Sequence, residues 1–91
     1  MEFSWCARKR SLNLARHGLD FVDAPHVFAG LTFTYEDDRF RYRERRLLTL
    51  GLLHGIPVSI VHTETADDIR IISFRKATRR EARIYFAAIE D

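Results

Sequence analysis

Ninety-one residues carrying a formal net charge of +2 suggest one domain, expected to span 1–91. A 46% hydrophobic share with seven Phe, three Tyr and one Trp excludes a disordered chain. The longest apolar run, Leu47 to Leu53, is far too short to cross a bilayer, and the single Cys6 excludes an internal disulfide. The first residues lack the basic-then-apolar order of a signal peptide, so the expected location is the cytoplasm, with no membrane partner.

In chain order, Phe3 and Trp5 fit a short edge strand or a pin on the core. Ala7 to His17 favours helix, and Gly18 is placed to end it in the left-handed conformation. Asp20 can cap a second short helix over 21–28, where Phe21, Ala24, Val27 and Phe28 make a buried stripe. Leu31, Phe33 and Tyr35 alternate with threonines as in a strand, and the charged stretch from Glu36 to Arg43 reads as a loop. Leu47 to Leu53 and Ile56 to His62 are strand-like runs joined by a turn at His54-Gly55. A polar turn from Thr63 to Asp68 leads to a last strand, Ile69 to Phe74. Thr78 and Glu81 form a capping box for a final helix whose apolar face is Ala82, Tyr85, Phe86 and Ile89. The expected fold class is α+β: N-terminal helices, an antiparallel meander and a C-terminal helix.

The cations are segregated. All fifteen Lys and Arg fall within Arg8–Arg16, Arg39–Arg46 and Arg70–Arg83, and thirteen of them are Arg, whose planar fork matches phosphate. If these blocks meet on folding they make one positive surface suited to a polyanion. Arg70, Arg75, Lys76, Arg79, Arg80 and Arg83 lie at the chain's end, with Glu81 nearby and already used by the capping box. In an extended loop Arg39, Arg41, Arg43 and Arg45 would project to one side as a phosphate-tracking strip; the alternative is a solvated loop. His17, at a helix end beside Arg16, is the candidate proton donor or acceptor, against the plainer reading of a capping histidine. No spacing matches a metal cage, and Glu36-Asp37-Asp38 reads as an acidic turn; neither a metal nor a cofactor is expected.

Several segments, taken in order, resemble the BrnT family of bacterial type II toxins. Phe3 and Trp5 match an F-x-W opening, and Lys9, Asn13, Arg16, His17 and Gly18 match a K-x3-N-x2-[KR]-H-G run. Phe21 and Ala24 follow at the family spacing. Glu44, Arg46 and Gly51 match G-E-x-R-x4-G, with Arg43 where glycine is usual. Arg70 to Ser73, Arg75, Ala77, Glu81 and Tyr85 resemble R-I-I-S-[AV]-R-x-A-x3-E-x3-Y. The resemblance implies a RelE-like fold and a metal-independent ribonuclease that stops translation. It also implies neutralisation by a ribbon-helix-helix BrnA-type antitoxin, with operator DNA bound through that antitoxin. By the same resemblance, His17 would be the general acid or base, and Arg46, Arg70 and Arg75 would hold the scissile phosphate. Lys9 would contact the RNA backbone or support His17. With Arg16, Arg45, Lys76, Arg79, Arg80 and Arg83 it completes the candidate RNA-binding set.

Two departures carry expectations of their own. Cys6-Ala7 replaces the common Asp-Pro and should cost a helix cap. Arg43 would strain its loop if the glycine it replaces takes a positive φ. The competing function is a binding module for nucleic acid or an acidic protein, including a degenerate toxin kept as a co-repressor.

Overall fold

In the computed structural model, which describes residues 1–90, five strands form one sheet in the order β1-β5-β4-β3-β2. β2 (Phe33–Glu36), β3 (Leu47–Leu53), β4 (Ile56–Glu64) and β5 (Asp68–Lys76) run antiparallel, as their short connections require. β1 (Glu2–Trp5) adds a parallel edge to β5, pairing from Glu2 opposite Asp68 to Trp5 opposite Ile71. His54 and Gly55 both take positive φ, the geometry of the two-residue turn that matches strand twist.

The helices α1 (Ala7–His17), α2 (Ala24–Phe28) and α3 (Arg79–Ile89) divide between the sheet's edge and its two faces. One face packs under α2. There Phe21, Ala24 and Val27 pack with Leu53, Val58, Ile60, Ile69, Ile71 and Phe74. The other face carries α3 through Tyr85, which joins Leu48, Leu50 and Val61 and donates its hydroxyl to the Leu31 carbonyl at 2.9 Å. Gly51 lets α2 approach: a Cβ there would stand 2.6 Å from Val27 Cγ1.

α1 serves a different purpose. β1 stops at Trp5, leaving β5 beyond Ile71 without a strand partner on that side. Asn13 on α1 supplies the missing partner. Its Nδ2 donates to the Phe74 carbonyl (2.7 Å) and the Leu19 carbonyl (3.0 Å), and its Oδ1 accepts from the Phe74 N–H (3.0 Å). A side-chain amide thus mimics a strand and fastens the helix along the edge.

Four expectations need correcting. The segment 21–28 is not one helix but a 3-10 turn, Phe21–Asp23, followed by α2, because Pro25 suits a helix start and not its interior. Phe86 is 48% exposed; Glu81, Ile84 and Tyr85 fill the face of α3 that meets the protein, since the packed stripe is rotated toward the helix start. The loop 37–46 is not an extended strip of free arginines, because Arg39 turns back onto Asp37 and Arg45 onto Glu36. Arg43 carries no strain: among the described residues His54 is the one non-glycine with positive φ.

Candidate active site

The site is built on the face that α3 only partly covers. Strand register sets its rows. Arg70 pairs with Thr63, and extending the β3–β4 register by one residue places Arg46 on the other side of Thr63. Arg46 and Arg70 therefore flank Thr63 on one face, their backbones two interstrand spacings, roughly 10 Å, apart. The next row holds Leu48, Val61 and Ser73; the one beyond holds Leu50, Ser59 and Arg75. A bulge in β5 between the Ile71 and Ser73 pairs absorbs one extra residue, Ile72, and keeps Arg70, Ser73 and Arg75 on that face.

α1 delivers the remaining groups. Lys9, Leu12, Asn13, Arg16 and His17 from α1 line an open groove of about 220 Å³ with Ile72 and Ser73 of β5. The Asn13 clamp lies one helical turn before His17, so it anchors the turn of α1 that carries the imidazole. Gly18, at φ 71, ends the helix immediately after it and donates its N–H to the Leu14 carbonyl. His17, Lys9 and Arg16 are all exposed, and none forms an ion pair among the described residues. At the start of α1 no side-chain hydrogen bond closes the cap, as the Cys6-Ala7 departure implies. The Cys6 thiol is nonetheless held below its ordinary value by the nearby N–H groups of Lys9 and Arg8, with smaller help from the Lys9 and Arg70 charges.

The other arginines are held in different ways. Arg75 is engaged by both oxygens of Glu81, at 2.7 and 2.9 Å. Glu81 also accepts from the Thr78 N–H and closes the capping box. Burial pushes the Glu81 carboxyl up, but Arg75 and the Thr78 N–H together hold it below its ordinary value. Arg46 has its guanidinium 4.1 Å from the centre of the Tyr42 ring, and Asp37 donates its backbone N–H to the Arg46 carbonyl. Asp37 is the hub of the loop: its side chain is 1% exposed and accepts from Arg39 at 2.7 and 2.9 Å and from the Tyr42 hydroxyl at 3.2 Å. Arg39 and the other donors outweigh burial and keep the Asp37 carboxyl below its usual range.

The fold groups fewer cations than the charge blocks imply. The structure gathers Lys9, Arg16 and His17 beside Ser73, whereas Arg46 lines a separate pocket with the loop residues from Glu36 to Arg45. It sets Arg79 and Arg83 on the solvent side of α3, away from the buried Glu81 and Tyr85, and Arg80 beside Asp37 and Asp38. Arg45 is paired with Glu36, and Lys76 ends β5 in solvent. Ser73, Thr63, Asp37 and Tyr42 carry no functional role in the sequence reading; the R-I-I-S match is the signal for Ser73, since the bulge breaks the alternation of β5. Among the described residues no three His, Cys, Asp or Glu side chains gather as metal ligands.

An α+β scaffold that brings an exposed imidazole and unpaired cations to one open groove beside its sheet can bind phosphate oxygens and move a proton beside them. That is the equipment of a protein acting on a phosphodiester. The family model described as the ribonuclease toxin BrnT of type II toxin-antitoxin systems matches residues 5–81, and the chain belongs to this family. Membership makes it a ribonuclease toxin, with RNA as substrate and an antitoxin as partner. No curated protein matches the chain. Among the described residues, no helix is long and apolar enough to cross a membrane.

Proposed function

We propose that this chain is a metal-independent endoribonuclease toxin whose active centre is the groove between α1 and β5. The observation that carries the reading is the placement of His17, Lys9 and Arg16 against Ser73, with Arg70 on the same face of β5 as Ser73. In the proposed reaction the RNA 2′-oxygen attacks the adjacent phosphorus and the bond to the 5′-oxygen breaks. The 2′ proton leaves to a base and the 5′-oxygen gains a proton, giving a 2′,3′-cyclic phosphate and a 5′-hydroxyl. His17 performs one of these proton transfers. Arg46 and Arg70 hold the phosphate oxygens and oppose the charge that grows on them. Arg75, fixed by Glu81, adds positive potential from further along β5, and Lys9 and Arg16 follow the RNA backbone. Arg45, Lys76, Arg79, Arg80 and Arg83 extend the field over the outer surface. Side chains of this kind supply both acid-base chemistry and charge, so the step needs no bound metal.

RNA cleavage of this kind would halt translation and growth in the cytoplasm. The partner is a BrnA-type ribbon-helix-helix antitoxin, whose acidic or apolar groups cover the cationic groove and which carries the complex to operator DNA. Purified protein incubated with RNA in EDTA should yield fragments, and His17→Ala or Arg70→Ala should abolish them. Intact RNA alongside folded wild-type protein would instead favour a non-catalytic binding module, recognised by RNA retention that weakens with salt.

A further inference from the structure

Arginines in this fold are restrained in two chemically distinct ways. Asp37 and Glu81 grip Arg39 and Arg75 by their in-plane N–H groups, which leaves those donors engaged. Arg46 is held by its flat face instead, with its guanidinium carbon 4.1 Å from the Tyr42 ring centre. The nearest carboxylate oxygen, on exposed Glu44, is 3.8 Å from Arg46 Nη2, too long for a hydrogen bond. Arg46 Nε is buried without a hydrogen-bond partner, so the ring and not N–H pairing sets the orientation. Tyr42 is itself tethered, since its hydroxyl donates to the buried Asp37 carboxylate. The same Asp37 binds the Arg46 carbonyl through its N–H. One residue thus fixes both the backbone of Arg46 and the ring beneath its side chain.

We propose that Tyr42 is a positioning residue for RNA cleavage: stacked under Arg46 and anchored by Asp37, it holds the guanidinium in place while leaving the terminal Nη donors for a phosphate. The inference rests on the reading above that Arg46 holds the scissile phosphate. It adds a reason for the loop 37–46 to fold back on itself. Stacking and phosphate binding use different parts of a guanidinium, face and edge, so both can hold at once. A carboxylate at the same place would have to be displaced by the substrate.

The test is a single-turnover RNA cleavage series on purified protein, with melting temperature recorded for every variant. Tyr42→Leu should lower the maximal rate about tenfold, with little change in the RNA concentration needed for half-maximal rate and a small drop in melting temperature from the lost hydrogen bond to Asp37. Tyr42→Trp, which keeps an aromatic face, should recover most of the rate. Tyr42→Leu combined with Arg46→Ala should be no slower than Arg46→Ala alone, because the tyrosine acts through that arginine. A wild-type rate for Tyr42→Leu, or losses that multiply with those of Arg46→Ala, overturns the positioning role while leaving the phosphate reading intact. A wild-type rate for Arg46→Ala overturns both. Should Tyr42→Leu not fold, the wild-type protein still decides: the Arg46 Nε–H proton should be shifted upfield by the Tyr42 ring, and an unshifted signal refutes the stack.

Discussion

Replacing Asn13 by alanine is the sharpest test of how the groove is built. The substitution removes three hydrogen bonds, two of them to the buried Phe74 backbone on the unpaired stretch of β5. A buried N–H and C=O left without partners cost about 1–2 kcal/mol each, and the Leu19 carbonyl, closer to solvent, adds less. The expected loss is therefore about 3 kcal/mol, which in a chain of 91 residues lowers the melting temperature by roughly 15 °C. Urea denaturation followed by circular dichroism measures it directly, and the slope against urea should stay unchanged. Asn13→Asp separates hydrogen bonding from volume, because aspartate keeps the shape yet sets a carboxylate against two carbonyl oxygens. It should be at least as damaging as alanine. A loss below about 1 kcal/mol for Asn13→Ala, or wild-type stability for Asn13→Asp, would show that α1 is held by something other than this amide. RNA cleavage should fall in both variants even at temperatures where they are folded, since His17 stands one turn away.

Three further outcomes follow from packing and charge. His62 is fully buried, with its Nε2 2.7 Å from Thr49 Oγ1, and burial lowers its pKa to about 4. The unfolded chain binds this proton near pH ~6.5 and the folded protein does not, so stability should decline as pH falls from ~6.5 toward 4; in His62→Gln the melting temperature should vary less over that window. Gly51→Ala should cost about 1–3 kcal/mol in a urea titration, because its methyl would meet Val27 Cγ1, and adding Val27→Ala should return part of that loss. Arg43→Gly should leave RNA cleavage and growth arrest on expression unchanged, since Arg43 has no positive φ to relieve; a marked gain in toxicity would restore the idea of a strained loop.

Local signals carried much of this fold. Gly18 after His17, the Thr78–Glu81 box and the His54-Gly55 turn are short-range chemistry, and each lies where sequence placed it. What was not legible depends on partners distant in the chain. Asn13 matched a motif position, yet nothing local says that its amide will replace a strand beside Phe74, 61 residues away. Phe86 has the spacing of a buried residue, but the α3 face that meets the sheet is decided by Tyr85 reaching the Leu31 carbonyl and by Glu81 binding Arg75. The arginine count misled in the loop, where Asp37 and Glu36 take up Arg39 and Arg45. Charge blocks report which residues are cationic, while the register of β3, β4 and β5 decides which of them share a face.

Chemistry at the sugar decides the central claim. An RNA oligonucleotide that the purified protein cuts at one bond should resist cutting when the nucleotide on the 5′ side of that bond carries 2′-deoxy or 2′-O-methyl ribose. The unmodified strand should leave a 2′,3′-cyclic phosphate and a 5′-hydroxyl in EDTA. Continued cleavage at the modified position would contradict the mechanism built on His17, Arg46 and Arg70.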